Sequence, residues 1–209
     1  MKFTKTLLQK MLDSALAAIE ANLSYLNQLD SATGDGDHGT AILAAMKAAV
    51  AAKKDGTLAA AFETIGWDIM SSTSGSTSAL TGSFFAGMSA AATVEEPNVS
   101  QTAALFEAGL ANLKTATKAN TGDKTLMDAL IPAVEAMTAY KKTAENTASL
   151  AELFRRAAEA AQKGAESTKD LAAKHGRAKN LGERSKGNLD AGAISTALIY
   201  KAYYDAIND

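Results

Sequence analysis

Asp30-Ser31-Ala32-Thr33-Gly34-Asp35-Gly36-Asp37-His38-Gly39-Thr40 separates two long segments in which apolar residues recur every three to four positions. The stretch therefore reads as a connection between helices, and the fold class follows from what flanks it. The 209 residues include only two prolines and much alanine, and the helical period runs almost throughout. Strand-like alternation has little support. Helices are expected at about 4–29, 38–54, 57–71, 77–93, 99–119, 123–142, 147–172 and 190–207. Their ends carry punctuation: Gly34 and Gly36, Asp55-Gly56, Pro97-Asn98 and Thr121-Gly122-Asp123. The expectation is all-α: a bundle of about eight helices, antiparallel because the connections are short. One domain, residues 1–209, accounts for the length.

Composition excludes several functions. A net charge of −2, two histidines and 6% aromatic residues give neither a basic footprint nor a stacking platform, so nucleic acid is not an expected partner. There is no cysteine, which removes disulfides, thiolate catalysis and cysteine-ligated zinc. The start, Met1-Lys2-Phe3-Thr4-Lys5-Thr6-Leu7-Leu8, lacks a long apolar signal region, and no run approaches a membrane span. A soluble, cytoplasmic protein without membrane contact is expected.

The opening stretch itself has the makings of a metal site. Asp30, Asp35 and Asp37 fall within eight positions, separated by small residues that let the backbone bend sharply. Residues two apart project to one side of a turned segment, so Asp35 and Asp37 can face one ion while Asp30 approaches from the preceding element. Three such carboxylates repel one another unless a hard divalent cation intervenes, and an all-oxygen donor set suits Mg²⁺. The competing reading is a plain Asp/Gly turn with helix caps. An EF-hand fits poorly, since the twelfth position from Asp35 is Met46 rather than a bidentate glutamate. His38 beside the carboxylates is a candidate phosphate or proton partner.

Four further stretches concentrate small, polar or charged residues at helix boundaries. Ser71-Ser72-Thr73-Ser74-Gly75-Ser76-Thr77-Ser78 offers hydroxyls and backbone N–H groups at a helix start, as a phosphate cradle or as ordinary capping. Gly122-Asp123-Lys124-Thr125-Leu126-Met127-Asp128 places Leu126 and Met127 where a flat ring could rest, or where a core simply packs. His175 to Ser185 and Asp190-Ala191-Gly192-Ala193 belong to a glycine-rich basic loop of about seventeen residues, read either as a lid over phosphates or as solvated charge.

Taken in order, Leu29-Asp30, Gly34-Asp35-Gly36-Asp37-His38-Gly39, Ser74 to Gly82, Gly122-Asp123-Lys124-Thr125, Gly176-Arg177-Ala178, Leu181-Gly182-Glu183-Arg184-Ser185 and Asp190-Ala191-Gly192-Ala193 resemble one family across nearly the whole chain. It is the nucleotide-binding L subunit of dihydroxyacetone kinases, equivalent to the C-terminal domain of single-chain versions. The resemblance implies an all-α barrel of eight antiparallel helices with ADP or ATP in the loops at one end. It implies that Asp30, Asp35 and Asp37 hold a pair of Mg²⁺ ions, and that His38, Gly39, Thr40, Ala41, Ser76 and Thr77 lie against the phosphates. By the same resemblance Leu126 borders the adenine, Arg177 reaches the nucleotide, and Asp190, Ala191 and Gly192 close the pocket. Thr117 stands where a glycine bordering the nucleotide is common.

The implied activity is phosphoryl transfer by positioning and charge neutralisation, without a nucleophile from this chain. The acceptor, dihydroxyacetone or a related short ketose, would be held by a separate K-type subunit. The phosphate source is either exchangeable ATP or a bound ADP recharged by a phosphotransferase-system protein. The chain departs from the family pattern in the second loop, where Ser74-Gly75-Ser76-Thr77-Ser78-Ala79-Leu80-Thr81-Gly82 replaces Gly-Gly-x-Ser-Gly-Pro-Leu-aromatic-Gly. Asp190-Ala191-Gly192 stands for Asp-Pro-Gly and Ala41-Ile42 for Asn-Met, while the three carboxylates are intact. Two other readings are a nucleotide-sensing regulatory module and the nucleotide domain of a fatty-acid kinase. His38 and the complete Arg177 to Gly192 stretch favour the ketose branch. Ala-rich helix faces permit a homodimer.

Overall fold

The computed structural model describes residues 1–143 and 148–208, and every regular element among them is helical. Thr4 caps α1 (Lys5–Ala21), its hydroxyl accepting from the Leu7 N–H at 3.1 Å, and α1 buries Leu8, Met11, Leu12, Ala15 and Ile19 on one face. The single helix expected over 4–29 is in fact two. The Asn22 side-chain amide donates to the Ala18 carbonyl at 2.8 Å, taking the acceptor that the Asn22 backbone N–H would use in an α-helix. That N–H bonds Ile19 O at 3.1 Å instead, and the chain turns into α2 (Leu23–Ser31).

The remaining helices are α3 (His38–Ala51), α4 (Leu58–Ser72), α5 (Ser76–Ala91), α6 (Val99–Ala116), α7 (Met127–Thr143), α8 (Leu150–Ser167) and α9 (Ala191–Asn208). Several end earlier or start later than the periodicity suggests. α3 stops at Ala51, where Lys54 Nζ donates to the carbonyls of Ala49, Val50 and Ala52. α7 begins at Met127 rather than 123 because Asp128 takes up the preceding backbone. The helix start expected at 147 lies outside the described residues. After α8 the chain tightens into a 3₁₀ turn, Thr168–Asp170, and a second 3₁₀ segment runs from Arg177 to Ser185, broken by Gly182 at φ 52°.

Packing follows chain order. α3 lies on α4, α4 on α5, α5 on α6, α6 on α7, α7 on α8 and α8 on α9, while α1 packs on both α9 and α3 and closes the ring. Close approach is allowed at α4 and α5 by facing glycines: a Cβ on Gly66 would stand 2.8 Å from the Gly82 carbonyl, and one on Gly82 2.5 Å from the Gly66 carbonyl. In α7, Pro132 cannot donate to the Asp128 carbonyl, and Gly164 of α8 packs straight over that oxygen. The barrel interior holds an aromatic cluster in which Phe106 meets Phe84, Phe154 and Tyr200 at centroid distances of 5.9, 5.4 and 6.0 Å.

A closed up-and-down ring sorts its connections by parity. The loops before α3, between α4 and α5, between α6 and α7, and between α8 and α9 must share one end. The loops after α3 and α5 share the other, where the Phe3 N–H bonds Pro97 O at 2.9 Å and the Leu58 N–H bonds the Glu95 carboxylate at 3.0 Å. All five motif-bearing stretches therefore converge on one rim. Among the described residues no helix is long and apolar enough to cross a membrane.

Candidate functional site

The rim encloses a cleft of about 420 Å³, within the usual range for a small-molecule site. Its acidic wall is the α2 to α3 loop. Asp30, in the last turn of α2, turns its carboxylate back over the loop, where Oδ2 accepts from Gly36 N at 2.8 Å and Asp37 N at 3.0 Å. Two glycines make this possible. A Cβ on Gly34 would sit 2.3 Å from Asp30 Oδ1, and Gly36 has φ +81°. Oxygen atoms of Asp30, Asp35 and Asp37 then come within 4.8 Å of one another. These are hard donors with few internal partners, and the guanidinium of Arg177 lies on Asp35, so the position already takes a cation. The donor set fits Mg²⁺.

Next to the carboxylates, His38 opens α3. Its Nε2 is 2.9 Å from Ser195 Oγ of α9, and its Nδ1 is 3.5 Å from Thr77 Oγ1 of α5. Ser195 Oγ also lies 3.0 Å from the Gly192 carbonyl, and a hydroxyl that donates there is free to accept from an Nε2–H. Burial lowers the His38 pKa against the raising influence of Asp30, favouring the neutral ring.

Ala41, Ser76 and Thr77 line the cleft, as do Thr117, Leu126, Arg177, Asp190, Ala191 and Gly192. Gly39 and Thr40 do not. Gly39 is packed against α2, where a Cβ would meet the Leu23 carbonyl at 2.5 Å, and the Thr40 N–H donates to Asn27 Oδ1 at 3.1 Å. In the second loop Ser78 does the work of a tight-turn residue, its hydroxyl donating to Thr73 O at 2.7 Å. Leu126, Leu80 and Thr117 form the less polar wall, and Gly192 lets α9 approach Leu126, a Cβ there falling 3.4 Å from Leu126 Cβ.

Three residues that no role was read for in the sequence hold this rim together. Asp128 is fully buried and accepts from Gly122 N at 2.6 Å and Thr125 N at 2.7 Å, fixing the loop before α7. Lys124, at φ 61°, is buried and donates through Nζ to the carbonyls of Thr168 and Asn188, tying that loop to the α8 to α9 connection. The third is Ser195. Lys124 stands in a motif quoted above, so its place near the site was visible, but its left-handed backbone was not.

Asp190 caps α9, accepting from Ala193 N at 2.8 Å. Burial pushes its carboxyl up to about 7, with the Ala193 N–H opposing and the Asp128 charge adding. A carboxyl whose folded pKa exceeds its unfolded value binds its proton more tightly in the folded state, so the ligand-free protein loses stability as pH rises from about 3.8 to about 7. Asn at this position keeps an acceptor for Ala193 without the charge. Urea unfolding at pH 4 and pH 8 should show the wild type losing about 4 kcal/mol more than Asp190→Asn over that window. Parallel curves for the two proteins would contradict the assignment.

A family model described as the DAK2 domain matches residues 32–205. The chain belongs to the DAK2 domain family. This DAK2 domain is 34% identical over 187 residues to the ADP-binding subunit DhaL of PEP-dependent dihydroxyacetone kinase 1 of Listeria innocua, covering 88% of the chain and 87% of that relative. It is 35% identical to the L-erythrulose kinase of Pectobacterium atrosepticum, covering 94% of the chain but 34% of that enzyme. Among solved structures, the dihydroxyacetone kinase of C. freundii in complex with AMP-PNP and Mg²⁺ superimposes with a TM-score of 0.72 at 26% identity, over 98% of this chain. The DAK2 domain thus spans about a third of that kinase, 34% of its chain. The all-helical barrel expected from the resemblance is the fold observed.

Proposed function

We propose that the chain is the nucleotide-binding subunit of a dihydroxyacetone or related short-ketose kinase, its 209 residues forming a single nucleotide-binding domain. The observation that carries the reading is the convergence of Asp30, Asp35 and Asp37 within 4.8 Å on the rim of a barrel that matches a kinase structure bound to AMP-PNP and Mg²⁺. In this reading the three aspartates hold a pair of Mg²⁺ ions that neutralise the phosphates of ADP or ATP. His38, Ser76 and Thr77 face the phosphates with Ala41 from the first turn of α3, while Gly39 and Thr40 act from behind by seating that turn on α2. Leu126 borders the adenine beside Thr117, Arg177 brings a guanidinium to the acidic wall, and Asp190, Ala191 and Gly192 close the pocket. Leu126, Leu80 and Thr117 give the cleft a less polar side that suits a flat ring.

Nothing in the cleft needs to act as a nucleophile, because the acceptor hydroxyl would come from the ketose on a K-type subunit. The names of the relatives, a PEP-dependent ADP-binding subunit and an erythrulose kinase, support a partner subunit and a three- or four-carbon ketose. The name of a 29% identical relative from Lactococcus lactis, the ADP-binding subunit of a PTS-dependent dihydroxyacetone kinase, supports a phosphotransferase-system protein as the donor that recharges a retained ADP. Dependence on ATP or on such a donor supports a cytoplasmic location. A homodimer through an Ala-rich helix face belongs to the same proposal.

The test is calorimetry of ADP and ATP with and without Mg²⁺, followed by phosphoryl transfer to dihydroxyacetone and erythrulose with a K-type subunit added. Mg-dependent ADP retention through purification, with transfer only when a phosphotransferase donor is present, is expected. Nucleotide binding without transfer to either ketose would favour the nucleotide-sensing module, and loss of Mg-dependence would remove the kinase reading altogether.

A further inference from the structure

Arg177 touches Asp35, and its charge competes with a cation for the same carboxylate, because the two positive charges repel at short range. The pair is exposed on both sides, with 67% of the Arg177 side chain and 38% of that of Asp35 open to solvent. Ion pairs this exposed are weak and exchange readily.

The chain is anchored just before Arg177, which opens the second 3₁₀ segment. Lys174 N donates to Asp123 O at 3.2 Å, Lys174 Nζ to Asp123 Oδ1 at 2.8 Å, and His175 Nε2 lies 3.3 Å from Asp123 Oδ2. Asp123 is in turn held by the Asn120 N–H at 2.8 Å, and its side chain is only 13% exposed. Immediately after this anchor comes Gly176, at φ 63° and ψ −162°, with no atom within 4 Å of where a Cβ would stand. A glycine in open space following a three-point anchor is a swivel.

We propose that Arg177 is an exchangeable cation: it holds Asp35 while the site lacks its ion, and ion uptake transfers the guanidinium to the phosphate end of the nucleotide. Asp123 is a positioning residue, acting through Lys174 and His175 to keep Arg177 within reach of both positions. The inference rests on the metal reading above and adds an order of events to it. With the guanidinium on Asp35 the acidic wall is not left as three facing carboxylates, and the arginine is presented to the phosphates once the ion takes its place.

The test uses Mn²⁺ alone, without nucleotide, titrated into the full chain and followed by the electron paramagnetic resonance of the free ion. Arg177→Gln removes the competitor and should bind Mn²⁺ about fivefold more tightly than wild type, the most that an exposed pair is worth. Asp123→Asn loosens the anchor and should also tighten Mn²⁺ binding, by about twofold. That second direction separates the device from a simple field effect, since deleting a negative charge from this rim would otherwise weaken cation binding. Far-UV circular dichroism checks the fold, and if Asp123→Asn is misfolded, His175→Ala removes one anchor point in its place and should also tighten Mn²⁺ binding. With Mg²⁺ present, Arg177→Gln should conversely weaken ADP. Mn²⁺ affinity that is unchanged or lower in Arg177→Gln overturns the exchange while leaving the metal site standing, and affinity no tighter in the anchor variant removes Asp123 from the device. If neither wild type nor Arg177→Gln binds Mn²⁺, the metal reading and the exchange fall together.

Discussion

Asp30→Ala should lower Mg-dependent ADP affinity by about 100-fold or more while leaving the helical content unchanged. Asp30 has two duties in one side chain. Oδ2 accepts from the backbone N–H groups of Gly36 and Asp37, which shapes the loop, and the rest of the carboxylate faces Asp35 and Asp37. Alanine deletes a ligand charge and releases the loop that presents the other two, so both losses act on one ion. Charge-assisted bonds of this kind contribute about 1.5–3 kcal/mol each, and about 2.7 kcal/mol already corresponds to a hundredfold. The loop lies outside the core, so the barrel should persist. Calorimetry with Mg²⁺ and then with EDTA reads the effect; equal ADP affinity for the two proteins in Mg²⁺ would show that these carboxylates do not hold the ion.

The largest effect on stability is expected at Phe154. Its side chain is fully buried, edge-on to Phe106 at 5.4 Å and to Tyr203 at 6.2 Å, and so joins α8 to α6 and α9 across the barrel interior. Phe154→Ala removes that area and leaves a cavity that three helices cannot all close. Such truncations cost about 3–5 kcal/mol, which for a chain of this size lowers the melting temperature by on the order of 10 °C. Trp67 is larger but 60% exposed on α4, and Trp67→Ala should stay within about 0.5 kcal/mol of wild type. Thermal and urea unfolding of the two variants check the contrast, and a Phe154→Ala protein as stable as Trp67→Ala would mean that the interior packs loosely.

The helices were legible because their apolar spacing and low proline content are local signals. Asn22 shows where such signals stop. Asparagine inside an apolar-periodic segment is tolerated on propensity, and only the bond from its amide to Ala18 decides that the segment breaks. The acidic loop was legible for a related reason: Gly34 and Gly36 announce a sharp bend among carboxylates, and the bend is what folds Asp30 back. The long loop after α8 was read as irregular, whereas it is wound into 3₁₀ turns whose bonds are too short in range to leave a period. Least legible were contacts between distant segments. That Lys124 would bury its ammonium on carbonyls 44 and 64 residues away, or that Ser195 would meet His38 from 157 residues away, has no counterpart in spacing along the chain.

The ring also has a seam. Most neighbouring pairs are joined by a short connection, so their contacts form at small entropic expense, but α1 meets α9 with Ser14 Oγ bonded to the Ala202 carbonyl at 3.1 Å across 188 residues. Closing a loop of that length restricts the chain more than a single hairpin of helices does, by about 2 kcal/mol on the logarithmic scaling of loop closure. Assembly can therefore proceed by successive hairpins and finish with the circle being shut. Opening would run in reverse, with the first helix peeling from the last before the other pairs part. Since α9 starts on the rim and carries Ser195, the last join to form is also the one that brings a partner to His38.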